Sequence, residues 1–164
     1  MSNESKSELN AVFLAPFLIE TVEVFEVQAS TNVTAGKIYT VDAAENLIGD
    51  ISGVVGIVSE YFLGNIIISF PRETFLELMS RMMSSPQKVI DKKILDGAGE
   101  LTNMVFARAK TTLNSKGMNL QMALPGIIVG QAHHFSFAKG IRRTVVPFAS
   151  DAGTFYVEFL LTSV

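Results

Sequence analysis

Cysteine is absent from this 164-residue chain, and histidine occurs only twice, at positions 133 and 134. No disulfide can form, which suits a reducing cytoplasm. Adjacent histidines in a strand point to opposite faces, and neither a cysteine nor a third histidine is available to complete a zinc-type ligand set, so ordinary strand histidines are expected and no metal site. An excess of positive charge is lacking too. The formal net charge is −3, which gives no overall attraction to nucleic acid or to an anionic membrane surface. The opening Met-Ser-Asn-Glu-Ser-Lys-Ser-Glu is polar and of mixed charge, without the basic segment and apolar core of a secretory signal, so the protein is expected to stay where it is made. No low-complexity segment or interdomain linker interrupts the chain. One domain is expected across residues 1–164, large enough to bury its own core, with residues 1–6 flexible.

The apolar run from Leu47 to Phe70 is long enough to cross a bilayer. Its composition argues otherwise. Asp50 and Glu60 lie inside it, each costing a few kcal/mol in a spanning helix, and Gly49, Gly53, Gly56 and Gly64 punctuate residues rich in Ile and Val. A soluble β-hairpin is expected, with strands from about 50–62 and 65–70 and the turn near Leu63-Gly64.

Around this hairpin the pattern alternates between helical and strand periods. A first helix over about 7–28 carries Leu9, Val12, Phe13, Phe17, Val24 and Val27 as apolar positions, with Pro16 as a kink or local break. A strand follows near 37–41. Pro71 and Glu73 suit a second helix start, and Phe75, Leu78, Met79, Met82 and Met83 recur on one face as plastic core. A third helix spans about 89–114 and ends near Gly117 in a C′ position. Strand candidates close the chain at 120–130, interrupted by Pro125, at 142–148 and at 155–161, the last two joined by a turn at Asp151-Ala152-Gly153. There is no regular βαβ alternation. The class is therefore α+β, with long helices packed on a mainly antiparallel β-sheet.

The third helix holds the most informative stretch, Asp96-Gly-Ala-Gly-Glu100-Leu-Thr-Asn103-Met. At 100° per residue, Ile94, Ala98, Leu101, Val105 and Ala109 fall within about 40° of one direction and define a buried stripe. Asp96, Glu100, Asn103 and Ala107 lie on the opposite side. Two interior glycines each cost about 1 kcal/mol relative to Ala, and Asn is a mediocre helix former. A helix that only had to pack would not carry these residues.

Asp96-x3-Glu100-x2-Asn103, followed 22 positions later by Pro125, resembles the signature of the CheC, CheX and FliY phosphatases of bacterial chemotaxis, and the likeness is greatest to the CheX type. Gly99-Glu100-Leu101-Thr102-Asn103-Met104 is similar to the centre of that motif, Leu124 to Gly130 to its following strand, and Asn10-Ala11 to the opening of its first helix. The resemblance runs from about 9 to 161. It implies a CheC-like fold, and removal of the phosphoryl group from the active-site aspartate of a phosphorylated CheY-like response regulator in chemotaxis or related two-component signalling. The protein would need no cofactor of its own, since the regulator brings Mg²⁺ and a Lys, and water need only be positioned for in-line attack. Under this reading Asn103 orients the water, because a carboxamide donates and accepts hydrogen bonds but is no general base. Glu100 engages the regulator's Lys, Asp96 adds a peripheral contact, Gly97 and Gly99 let the partner approach, and Pro125 either touches the partner or shapes the strand.

Some members of the family carry the motif twice. Here the first helix reads Pro16-Phe-Leu-Ile-Glu20-Thr-Val-Glu23, with Glu where Asn is required, and a carboxylate cannot replace the amide beside an anionic phosphoryl group. One site per chain is expected. CheX relatives imply a homodimer, for which the 155–161 strand offers an edge. Arg142-Arg143 beside Lys139 reads as a solvated strand end. The alternative function is a non-catalytic module that docks on a response regulator or a flagellar switch component.

Overall fold

The computed structural model describes residues 3–131 and 141–163. Helix α1 (Asn3–Ala29) is followed by strands β1 (Thr34–Ala35), β2 (Tyr39–Asp42), β3 (Ile51–Val58) and β4 (Phe62–Phe70). Helices α2 (Arg72–Met82) and α3 (Lys92–Ser115) come next, then β5 (Gln121–Met122), β6 (Gly126–Val129), β7 (Arg142–Ser150) and β8 (Gly153–Ser163). All strands join one sheet in the order β1-β7-β8-β4-β3-β5, with β2 also on β7 and β6 also on β3, and every pairing is antiparallel. The α+β reading stands, and the 47–70 run is a hairpin. Among the described residues no helix is long and apolar enough to cross a membrane.

Strand alternation sends Ile51, Val55 and Ile57 of β3, Ile66, Ile68 and Phe70 of β4, and Phe155, Val157 and Phe159 of β8 to the face that the helices cover. Phe13, Phe17 and Phe25 of α1 reach down onto them. Phe25 stacks on Phe155 at 4.4 Å between ring centroids, and Phe17 meets Phe106 of α3 edge-on at 6.0 Å. Each such side chain stabilises by about 1.5–3 kcal/mol on burial, so α1 and α3 are fixed to one another and to the sheet. Val12 and Val27, read as core positions, are instead exposed.

Several expectations need correction. The hairpin turn lies at Ser59–Tyr61, not Leu63-Gly64, because the Ser59 hydroxyl oxygen accepts from the Phe62 and Tyr61 backbone N–H groups while Ser59 N donates to Phe62 O. Gly64 sits in β4 because a Cβ there would strike the Leu160 carbonyl on β8. Helix α1 passes through Pro16 unbroken. The early strand is 39–42 rather than 37–41. Strand β8 is no edge: it lies between β7 and β4, so strand-to-strand association cannot use it.

Arg143 is not a solvated strand end. It is 1% exposed, with Nε 2.8 Å from Oε2 of the fully buried Glu158, although that N–H does not point along the contact. Its terminal nitrogens donate to the carbonyls of Glu45 and Asn46 and tie the β2–β3 connection to the sheet. Burial raises the Glu158 carboxyl above its ordinary range, and the guanidinium opposes that rise. Arg142 donates to Thr40, whereas Lys139, His133 and His134 lie outside the described residues.

Candidate active site

Helix α3 starts where Asp91 caps it, its carboxylate accepting from Ile94 N at 2.9 Å. The start falls three residues later than the periodicity alone suggested. Ile94, Ala98, Leu101, Val105 and Ala109 are all buried, and Asp96, Glu100, Asn103 and Ala107 are all exposed. The three polar groups span about 60° around the axis, with Glu100 and Asn103 separated by a rise of about 4.5 Å. Among the described residues, neither Glu100 nor Asn103 forms a side-chain hydrogen bond or ion pair. The Asn103 carboxamide thus presents both its donor and its acceptor to solvent.

The two glycines of the motif face different ways. Gly97 is buried, and a Cβ there would lie 3.4 Å from Met79 Sδ and 3.5 Å from Met83 Cε. It belongs to the α2–α3 contact and not to a partner-facing surface, which corrects the expected role. Gly99 is half-buried beside Ile127 of β6, with 3.9 Å available to a Cβ. Nothing in the fold forbids Ala at 99, so its glycine is unexplained by packing.

Pro125 is half-buried and lies two residues before Ile127. Strand β5 pairs with β3 in the register Ile57↔Met122, and β6 in the register Val54↔Gly126, so three residues, 123–125, face only two of β3. That is a one-residue bulge, placed where Pro cannot donate to the ladder. Its outward bend leaves Leu124 91% exposed. Asp96, Glu100 and Asn103 therefore share one helix face, Gly99 flanks it over β6, and Pro125 shapes the adjoining strand.

In α1 the corresponding positions look different. The Glu20 side chain is only 15% exposed, and Arg108 of α3 reaches over it, with Nη1 3.7 Å from Glu20 Oε2 and 3.9 Å from Glu23 Oε2. Sequence reasoning missed Arg108, and also the buried Thr102 beside Asn103. Buried-stripe geometry points to Thr102, but nothing in one sequence pairs Arg108 with α1. Among the described residues there is no cluster of three His, Cys, Asp or Glu side chains able to hold a metal.

Residues 51–149, more than half of the chain, match the family profile described as Chemotaxis phosphatase CheX. The chain belongs to the CheX family. Among solved structures it is 33% identical to a CheC-like superfamily protein from Shewanella sp. PV-4, over 92% of this chain and 97% of that one, with a TM-score of 0.81. It is 29% identical to the chemotaxis protein CheX from Vibrio vulnificus, over 92% and 99%, with a TM-score of 0.79. A third likeness, of fold alone, is to the CheX–CheY–BeF3–Mg²⁺ complex from Borrelia burgdorferi: 24% identity, 91% and 97% coverage, TM-score 0.74. Among curated proteins no sequence matches. The CheX-matching span holds all five candidate residues.

Proposed function

We propose that this CheX-family chain hydrolyses the aspartyl phosphate of a CheY-like response regulator in the cytoplasm, with Asn103 orienting the attacking water and Glu100 engaging the regulator. The observation that carries the reading is the exposed Glu100 and Asn103 pair, without a side-chain partner among the described residues, on one face of a helix whose other face is locked into the core. The Borrelia burgdorferi CheX structure, a complex with CheY, BeF3 and Mg²⁺, supports a regulator that carries its own metal.

The chemistry asks little of the helper. An aspartyl phosphate is already reactive, and Mg²⁺ on the regulator neutralises charge on the phosphoryl oxygens. What remains is a water held in line with the scissile P–O bond, which a carboxamide can supply by accepting one water hydrogen and donating from its NH₂ group. A hundredfold acceleration over the regulator's own hydrolysis corresponds to about 2.7 kcal/mol. Two oriented side chains on a rigid helix can deliver that. Glu100 lies nearest Asn103 on this face and suits a cationic group of the regulator, Asp96 adds a peripheral contact, Gly99 lets the partner's backbone approach, and Pro125 holds the adjoining strand edge in shape.

The test is the rate of phosphoryl loss from phosphorylated CheY-type regulators of the same organism, with the wild-type chain and with Asn103→Ala. Acceleration that vanishes in a folded Asn103→Ala chain is expected; undiminished acceleration sinks the proposal. Binding without acceleration by the wild type would favour a non-catalytic docking module. A homodimer is also proposed, and light scattering at several concentrations tests it. With β8 in the interior, dimerisation through strands would have to use β1, β2, β5 or β6.

A further inference from the structure

Gly53 lies in the middle of β3, paired with Ile68 of β4 on one side and Ile127 of β6 on the other, so its backbone is held from both flanks. It is not among the residues of positive φ, and therefore any L-residue could adopt its conformation. Space is what restricts it. A Cβ at Gly53 would lie 2.9 Å from Thr102 Cβ and 2.7 Å from Thr102 Cγ2, with Oγ1 closer still. Rotating χ1 of Thr102 can turn its hydrogen into only one of the two positions held by Oγ1 and Cγ2, and leaves its Cβ where it is. Relief requires α3 to lift from the sheet.

Thr102 has an oddity of its own. It is fully buried, and among the described residues its hydroxyl has no hydrogen-bond partner. Three other helical hydroxyls bond back to the carbonyl four residues earlier: Thr21 to Phe17, Ser80 to Leu76 and Thr111 to Ala107. Burying a hydroxyl without that bond costs stability, and Val, of the same branched shape with a somewhat larger methyl in place of the oxygen, would avoid the penalty. The oxygen instead lies along the direction in which Gly53 would carry a Cβ, which is where a Gly53 Cα–H bond points. A Cβ on Gly53 could not stand there without displacing it.

Asn103 follows Thr102 directly. We propose that the Gly53–Thr102 contact is the seat that fixes the height of α3 above the sheet, making both positioning residues that act through Asn103. This rests on the aspartyl-phosphatase reading of the site. Restoring an ordinary carbon–carbon contact of 3.5–4.0 Å after adding a Cβ would lift the helix by about 0.6–1.1 Å. A misplacement of about 1 Å can cost about a hundredfold in rate.

The experiment compares Gly53→Ala, Gly53→Ala/Thr102→Gly (which removes the Thr102 Cβ that the added methyl would strike) and Thr102→Val with wild type. Folding is followed by circular dichroism and thermal melting, and kcat and KM are measured on the phosphorylated regulator. The Asn103 side-chain amide resonance, assigned by its loss in Asn103→Ala, reports on the site without turnover. Gly53→Ala should lower kcat by about tenfold to a hundredfold, leave KM within about twofold and shift the Asn103 resonance, and the double variant should recover most of both. Thr102→Val, which puts a larger methyl where the oxygen was, should melt no lower than wild type yet turn over more slowly. Should Gly53→Ala fail to fold, Thr102→Val carries the test. A folded Gly53→Ala with unchanged kcat and an unmoved resonance, a double variant that recovers neither, or a fully active Thr102→Val would overturn the seat. If the wild type gives no acceleration, the activity reading fails separately, and an Asn103 resonance unmoved in folded Gly53→Ala or Thr102→Val still overturns the seat.

Discussion

Helices α1 and α3 pack side by side on the same face of one sheet, and each carries a Glu followed three residues later by a second polar group. In α1 the pair is Glu20 and Glu23, and Arg108 from α3 reaches both carboxylates. In α3 it is Glu100 and Asn103, both exposed and without a partner among the described residues. The difference lies in what each face is built to meet. Two carboxylates closed over by a guanidinium form an interhelical tie, whereas a lone carboxylate beside a neutral amide leaves hydrogen-bonding capacity open to something from outside.

The sharpest way to break the comparison is to give α3 the α1 pattern. Asn103→Glu replaces an amide that can both donate and accept by a carboxylate that repels an anionic phosphoryl group, and the regulator's phosphoryl-loss rate should fall to its unaided value, about hundredfold if the helper contributes 2.7 kcal/mol. Retained acceleration would mean that Asn103 does not handle the water. Because a carboxamide does not titrate, the wild-type rate should also stay nearly flat between about pH 6.5 and 8. A bell-shaped profile centred there would reveal an acid or base elsewhere.

A second test separates stability from rate. The Glu158 carboxyl, raised by burial, binds its proton more tightly in the folded than in the unfolded chain. Its contribution to stability is therefore fully present below the ordinary carboxyl range and is lost as pH rises through the elevated folded value. Denaturant titrations should show that decline, and Glu158→Gln should flatten it while leaving the phosphoryl-loss rate unchanged. A decline equally steep in the variant would place the titrating group elsewhere.

The smallest expected effect comes from Arg108→Ala. Partly exposed ion pairs at 3.7 and 3.9 Å contribute about 1 kcal/mol or less, which for a chain of this size lowers Tm by about 2–4 °C. Turnover should change by less than about twofold, since this tie belongs to α1. A larger loss of rate at unchanged melting would show that the interhelical tie reaches the site.

How much of this was legible in the sequence follows from what determines each feature. The buried stripe of α3 and the exposed face with Asp96, Glu100 and Asn103 came from local periodicity, which a one-dimensional pattern records. The break at Pro125 was equally legible, because Pro cannot donate to a ladder whatever it pairs with. The errors arose where a distant residue decides. Gly64 resembled a turn, but the close approach of Leu160 accounts for it and the Ser59 hydroxyl makes the turn earlier. Gly97 resembled a partner surface until α2 placed Met79 and Met83 against it. Arg143 resembled a solvated end because its counter-ion, Glu158, arrives only through the β7–β8 register, and the same topology turned the expected edge strand into an interior one. Gly53 and Thr102 meet only across 49 residues of chain, beyond the reach of any local pattern.

The most direct test of the central contrast is one rate measured on two variants side by side: loss of the phosphoryl group from a phosphorylated CheY-type regulator with Asn103→Ala and with Glu23→Ala. The account predicts that acceleration disappears in the first and persists within about twofold in the second. Equal losses in both, or loss only in Glu23→Ala, would contradict it.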